Sequence, residues 1–328
     1  MRNRAITIIL PLLAVLLLTP WLAIAADNNE FALAENPDSG NAASTTTNDS
    51  YLDRQWALNK IHALDAWQIT TGSRDVLIAV LDTGIDQNHA DLAGKVVASI
   101  NLTASQTADD VNGHGTHIAG IIGATANNGT GIAGVANNAS LMNVKVADDA
   151  GFTDAAAVAR GIIWAVNNGA KVINISLTLI EPNQALEEAV DYAWIKGAVV
   201  VAAAGNNGGS APVYPAYYAN SLAVTSTNNE DQLAQLAKCG EWVDIAAPGV
   251  NIYSTLPGDS YGYKSGTSMA AAYVSGVAGL LFNVVSDRNG NGRLNDEVRN
   301  AIENSAVGTP GIAHGRIDAL KALYEARD

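Results

Sequence analysis

A chain of 328 residues that is 48% hydrophobic and 15% charged can fill one large core or two smaller ones, and is too apolar to be disordered as a whole. Its 32 acidic residues outnumber 18 basic ones, a net charge of −14, and such a surface repels nucleic acid and anionic lipid. One cysteine, Cys239, excludes an intramolecular disulfide, and between Lys238 and Gly240 it reads as structural rather than nucleophilic.

Arg2 and Arg4 precede an apolar run from Ala5 to Ala26 with a small-x-small pattern at Ala23-Ile24-Ala25. Residues 1–25 therefore read as a cleaved export signal, which makes the protein secreted or periplasmic. The run is also long enough to span a bilayer, so the alternative is a retained anchor with the protein facing outside. Pro11 and Pro20 favour cleavage. Without the two arginines, 16 basic residues face 32 acidic ones, a charge of −16 that serves solubility and suits divalent cations. Residues 26–48, rich in Asn, Ser, Thr and Ala, read as a polar linker or short pro-segment, and residues 49–328 as one folded domain.

Within that domain, short β-branched apolar runs recur at 76–81, 141–146, 171–177, 198–204, 222–227 and 243–248. Apolar on both faces, they predict strands of a buried parallel sheet. Helical patterns lie between and after them, at Ala155–Asn168, Gln184–Ile195, Thr267–Leu281 and Asn295–Ser305. The expected fold is α/β, a doubly wound and mainly parallel sheet flanked by helices. Such sheets bind ligands beyond the carboxyl ends of their strands, so the residues placed there carry the functional argument.

Asp82 ends the first run, in "VLDTGID", where a carboxylate can be desolvated yet hydrogen-bonded. An aspartic protease would need a second Asp-Thr-Gly on a strand, and Asp38-Ser39-Gly40 in the polar linker does not supply it. In "NGHGTHIAG", His114 opens a small-residue helix between Gly113 and Gly115, with His117 one turn on. No third ligand at a supporting spacing makes the pair a zinc site, so one histidine reads as a base and the other as packed beneath it. Asn206 follows the run 198–204 and is either a turn residue or a carboxamide donor for an oxyanion. Ser268 stands where a helix begins, so unpaired N–H groups and the helix dipole favour negative charge beside it. Each segment alone is weak. An Asp, a His, an amide donor and a Ser at the ends of one sheet's elements form a serine-nucleophile site.

"VLDTGID", "NGHGTHIAG", "AAAGN" and "GTSMA" resemble the signature blocks of the subtilisin-like serine proteases, in that family's Asp, His, Ser order. The likeness extends from Asp49 to about Leu323 and includes "QWALNKIHALDAW", "APGVNIYSTLPG" and "HGRIDALKAL". It implies a three-layer α/β sandwich and an exported, monomeric serine endopeptidase acting on extended polypeptide. Asp82 would fix the tautomer of His114, His114 would move the proton of Ser268, and Asn206 with the Ser268 N–H would hold the oxyanion. Substrate would lie along Ser176, Leu177 and Thr178 as an added strand, with Ala202, Ala203, Ala204 and Gly205 lining the P1 pocket. Thr178 and Val213 stand where the family usually has glycine, which narrows that pocket toward medium-sized apolar side chains.

Two departures qualify the likeness. The family usually has proline four residues after the nucleophile and histidine next to it; here these are Ala272 and Tyr273. Alanine restores an N–H to bond the Ser268 carbonyl, so the helix is expected to tighten and draw the serine back. A peptide ligase or transpeptidase is therefore an alternative reading, and an inactive calcium-dependent binding domain is another. The domain-sized propeptide usual in the family is also missing, so folding is unassisted or helped by metal.

"TANNGTGI" resembles the calcium loop of the thermitase-like subgroup. In that likeness Asp49, Asp91 and Asn128 join the carbonyls of Thr125, Thr130 and Ile132 in an oxygen cage around structural calcium. "DRNGNGRLNDE" offers a second site: Asp287, Asn289 and Asn291 match the first positions of an EF-hand loop, but Val298 occupies the position of the bidentate glutamate. Asp296 or Glu297 could serve instead, or the segment is a polar turn. Membrane contact is expected only if the first segment is retained, and no nucleic-acid partner is expected.

Overall fold

The computed structural model describes residues 24–25, by their backbone alone, and 47–327; nearly all of the expected signal and linker lies outside them. The short strand β1 (Ile24–Ala25) comes first, then two short helices, α1 (Trp56–Lys60) and α2 (Ala63–Ala66). The alternating part follows as β2 (Leu77–Asp82), β3 (Val96–Asn101), α3 (His114–Gly123), β4 (Ser140–Lys145), α4 (Ala155–Asn167), β5 (Val172–Ile175), β6 (Leu177–Thr178), α5 (Gln184–Ile195) and β7 (Val199–Ala203). It continues with β8 (Ser221–Thr227), β9 (Ile245–Pro248), the hairpin β10 (Ile252–Leu256) and β11 (Ser260–Lys264), and helices α6 (Thr267–Leu281), α7 (Asn295–Asn304) and α8 (Ala319–Glu325). Local chemistry sets several starts. Asp154, Asn183 and Asp318 are extended residues whose side chains accept from the N–H three positions on, capping α4, α5 and α8.

Among the described residues, seven strands form one parallel sheet in the order β3-β4-β2-β5-β7-β8-β9. The chain turns one way from β2 to reach β4 and the other way to reach β5, so the crevice where the winding reverses opens at the carboxyl end of β2. The doubly wound α/β reading of the sequence is thus the architecture observed.

Each strand serves two cores. In β5, Val172 packs with α3 and α6 on one face, whereas Ile173 and Ile175 pack with α4 and α5 on the other. That two-residue alternation within an apolar run is what a central parallel strand demands. Helix α6 is buried along its whole length, lying against β5, β7, β8 and β9 and crossing α3. Small residues make this possible: a Cβ on Gly276 would stand 2.6 Å from Val135.

Two features go beyond the expected strands. Edge strand β3 alternates in exposure, and Ser99 and Asn101 interrupt its apolar run. The β10–β11 hairpin is tyrosine-rich on its second strand, with Tyr263 exposed. Neither offers the continuous apolar run that marks the central strands.

Candidate active site

Asp82 is the last residue of β2 and is fully buried. Its Oδ1 accepts from the Thr83 N–H at 2.8 Å and lies 2.7 Å from His114 Nδ1. His114 is the first residue of α3, and Gly115 lets that helix reach the Asp82 turn, since a Cβ there would collide with the Gly84 carbonyl and sit 3.1 Å from Asp82 Cβ. Burial is the largest influence on the imidazole and pushes its pKa down. The Asp82 charge and hydrogen bond push it up, Lys264 lowers it, Asp110 raises it, and the result stands above the ordinary value. His117 differs: buried and without a carboxylate, its Nε2 donates to the Ile252 and Gly262 carbonyls at 3.1 and 3.2 Å, and its pKa falls to about 3. It stays neutral and structural.

Ser268 is the second residue of α6, and its N–H has no partner among the described residues. Its Oγ donates to the Ser176 carbonyl at 3.4 Å, and His114 Nε2 is buried without a partner among the described residues, so the hydroxyl is turned away from the imidazole. Asn206 lies just beyond β7. Its Oδ1 accepts from the Thr267 N–H at 2.8 Å and the Thr267 hydroxyl at 3.1 Å, which fixes the amide and leaves Nδ2 as the free donor. The Gly205 N–H donates to Thr267 Oγ1 at 3.0 Å, tying both loops to the start of α6.

Sequence reading missed the polar groups that brace this arrangement. Asn174 accepts from Ser275 Oγ at 3.0 Å and donates to Ser176 Oγ at 3.0 Å, and Ser176 Oγ donates to the Ser268 carbonyl at 3.3 Å. A buried ladder therefore runs from the middle of α6 to the serine. Lys145, opposite Asp82 in the β2–β4 register, is fully buried; its Nζ donates to the Thr83 carbonyl and pairs with Asp149 at 2.8 Å. Asp110 is the third such group. The one available signal was a polar residue inside an apolar run, as Asn174 and Lys145 are.

The expected substrate edge is β6, against which β1 lies antiparallel, Ile24 opposite Thr178 and Ala25 opposite Leu177. The pocket residues converge only in part. Ala202 and Val213 share one apolar cluster, and the Thr178 methyl is 3.6 Å from where a Cβ on Gly205 would be. Ala203 turns into the α6 core and Ala204 into a cluster with Val243 and Ala246, so these two can offer backbone but not methyls to a ligand.

Around residues 125–132, Asp49 accepts from the Asn127 and Asn128 N–H groups at 2.9 and 3.2 Å. Asp91 accepts from Asn128 Nδ2 at 2.9 Å, the Ile132 N–H at 2.8 Å and the Tyr261 hydroxyl at 3.0 Å. The carbonyls of Gly129, Gly131 and Ala133 accept hydrogen bonds from Ser50, Tyr51 and Gln55. Those of Thr125, Thr130 and Ile132 accept none among the described residues. Two carboxylates, a carboxamide and three unclaimed carbonyls are a hard-oxygen donor set that fits calcium. Groups of three or more His, Cys, Asp or Glu that could hold a metal are absent among the described residues, so such a cage depends on carbonyls. At the second loop, Asp287 accepts from the N–H groups of Gly290, Asn291 and Gly292, and the Asn289 and Asn291 amides donate to Asp296. Among the described residues, Asp296 Oδ1 and Glu297 Oε2 have no hydrogen-bond partner.

Residues 73–319 match the family described as "Subtilase family". The chain is 49% identical to thermitase of Thermoactinomyces vulgaris over 284 residues, 85% of this chain and 99% of that protein. It is 42% identical over 305 residues to a thermophilic serine proteinase of Bacillus sp. (strain AK1), covering 91% of this chain and 74% of that one. Among solved structures, a protease from Pseudoalteromonas arctica PAMC 21717 superposes with a TM-score of 0.78 at 30% identity, spanning 86% of this chain and all of that one.

Proposed function

Because this chain belongs to the subtilase family and is a serine endopeptidase, we propose that it cuts peptide bonds through the triad Asp82, His114 and Ser268, with Asn206 completing the oxyanion hole. The observation that carries this reading is the 2.7 Å hydrogen bond between buried Asp82 and His114 Nδ1 at the crevice of the sheet. It holds the tautomer that leaves Nε2 free to accept a proton. Ser268 Oγ swings from the Ser176 carbonyl to Nε2, attacks the scissile carbonyl carbon and gives up its proton to His114. Charge forming on the carbonyl oxygen meets Asn206 Nδ2 and the Ser268 N–H. His114 then protonates the leaving amine, and water repeats the sequence in reverse to release the acyl group.

Substrate pairs along Ser176, Leu177 and Thr178; that edge already accepts β1 in antiparallel register. Thr178 and Val213 narrow the P1 site toward medium-sized apolar side chains. Asp49, Asp91, Asn128 and the carbonyls of Thr125, Thr130 and Ile132 would hold calcium, which supplies cross-linking between the start of the domain and this loop. Asp287, Asn289 and Asn291, with Asp296 or Glu297, are a second, looser site. Export follows from residues 1–25, released as a signal or kept as an anchor, with 26–48 as linker and 49–328 as the catalytic domain, a monomer. Among the described residues no helix is long and apolar enough to cross a membrane.

Peptide hydrolysis by the purified protein beginning near Thr47, beside Ser268→Ala, tests the assignment. Cleavage lost in the variant, with organophosphate labelling of the wild type alone, is the expected result. A folded wild type that neither cleaves nor labels would replace this reading with the binding-domain alternative.

A further inference from the structure

The helix that carries His114 begins without a cap of its own. Gly113 precedes it with φ of 90° and has no side chain to accept the free N–H groups of the first turn. A carboxylate three residues earlier takes that part. Asp110 is buried, and its Oδ1 accepts from the Asn112 and Gly113 N–H groups at 3.1 and 2.9 Å. Its Oδ2 accepts from the Thr116 N–H at 2.8 Å and the Thr116 hydroxyl at 2.7 Å. A fifth donor comes from across the crevice: Thr83 Oγ1, one residue after Asp82, donates to Asp110 Oδ1 at 2.9 Å and accepts from the Gly115 N–H at 3.0 Å. Both halves of the Asp82–His114 pair therefore hang on one carboxylate, directly on the histidine side and through Thr83 on the aspartate side.

We propose that Asp110 is a positioning residue of the proteolytic site, holding the turn after Asp82 and the first turn of α3 at the separation at which Asp82 meets His114 Nδ1. The proposal rests on the triad reading above. Five donors on two oxygens suit a carboxylate, because an asparagine would aim its own N–H groups at the backbone donors on one side. The loss on substitution is then a loss of alignment. Asp110 also contributes negative charge near the imidazole. The charged and titratable groups facing that ring are Asp82, Asp110, Lys264 on β11 and the neutral His117 one turn along α3.

Asp110→Asn is expected to lower kcat about 10-fold to 100-fold with KM nearly unchanged, and to move the acid limb of kcat/KM to lower pH. Should Asp110→Asn fail to fold, Thr83→Val and Thr83→Ser decide the matter. Valine removes the hydroxyl link and is expected to lower kcat about 10-fold in a folded protein, and serine to restore it. An unmoved kcat and acid limb in folded Asp110→Asn would overturn the proposal, as would full kcat in Thr83→Val. His114→Ala is the control for the premise: full activity there sinks the triad reading itself, whereas its inactivity beside a normal Asp110→Asn sinks only the positioning role.

Discussion

His114 and His117 lie three residues apart on one helix, and their surroundings drive them in opposite directions. The Asp82 charge holds the His114 pKa above its ordinary value, so the free base is lost early as the solution is acidified. The acid limb of kcat/KM is accordingly expected above about pH 6.5, the unperturbed imidazole value. An acid limb below that value would separate the titrating base from His114. His117, with a pKa of about 3 in the fold, stays neutral where an unfolded chain binds a proton. The unfolded state then holds more protons between about pH 6.5 and pH 3, so stability falls as pH drops through that window. The loss is measurable as a falling urea midpoint of Ser268→Ala, which is free of self-digestion. A midpoint flat from pH 7 to pH 4 would contradict it. Asn206→Ala removes the fixed amide donor and is expected to lower kcat about 10²–10³-fold, the loss known for one such donor in subtilisin, with KM little changed. Much at this scale was legible, because Asp82, His114, Asn206 and Ser268 sit where an apolar run stops or a helix starts. Asp110, Lys145 and Asn174 were not: the partners that give them meaning lie 27 to 101 residues away in the chain.

Helix α6 runs unbroken through Ala272, which is fully buried. An N–H at that position keeps the Ser268 carbonyl inside the helix, and Ser176 Oγ adds a second donor to the same oxygen. The Ser268 carbonyl is therefore held by two donors where a proline would leave one. Holding the carbonyl does not by itself exclude water from an acyl-enzyme, so hydrolysis is expected to dominate even with an added amine. The ratio of ligated to hydrolysed product should match that of Ala272→Pro; a clearly higher ratio in the wild type would favour the ligase alternative. The bounds of α5 and α6 were readable to the residue from their periodicity. The P1 wall was not, since alternate residues of one strand feed separate clusters: Ala202 faces Val213 while Ala203 faces α6.

On the scale of the whole molecule, a chain with a single cysteine must hold its first turn of structure without a disulfide. Residues 48–51 are fastened to the 127–131 loop by hydrogen bonds at 2.7 to 3.3 Å, but those of Asn48 and Ser50 are exposed and compete with water. Calcium shared by Asp49, Asp91 and the free carbonyls of Thr125, Thr130 and Ile132 would convert that fastening into a clamp joining the start of the domain to its middle. A ligand bound only by the folded state stabilises by about 2.7 kcal/mol at a hundred times its Kd. For a domain of this size, that is a rise in Tm of roughly 5 °C. In Ser268→Ala, chelator is expected to lower Tm by that amount, and Asp91→Asn to lower it and abolish the response. A response that survives in Asp91→Asn but disappears in Asp287→Asn would move the metal to the 287–297 loop. A Tm indifferent to calcium in all three would leave the hydrogen bonds of Asp91 to Asn128, Ile132 and Tyr261 as the whole of the fastening.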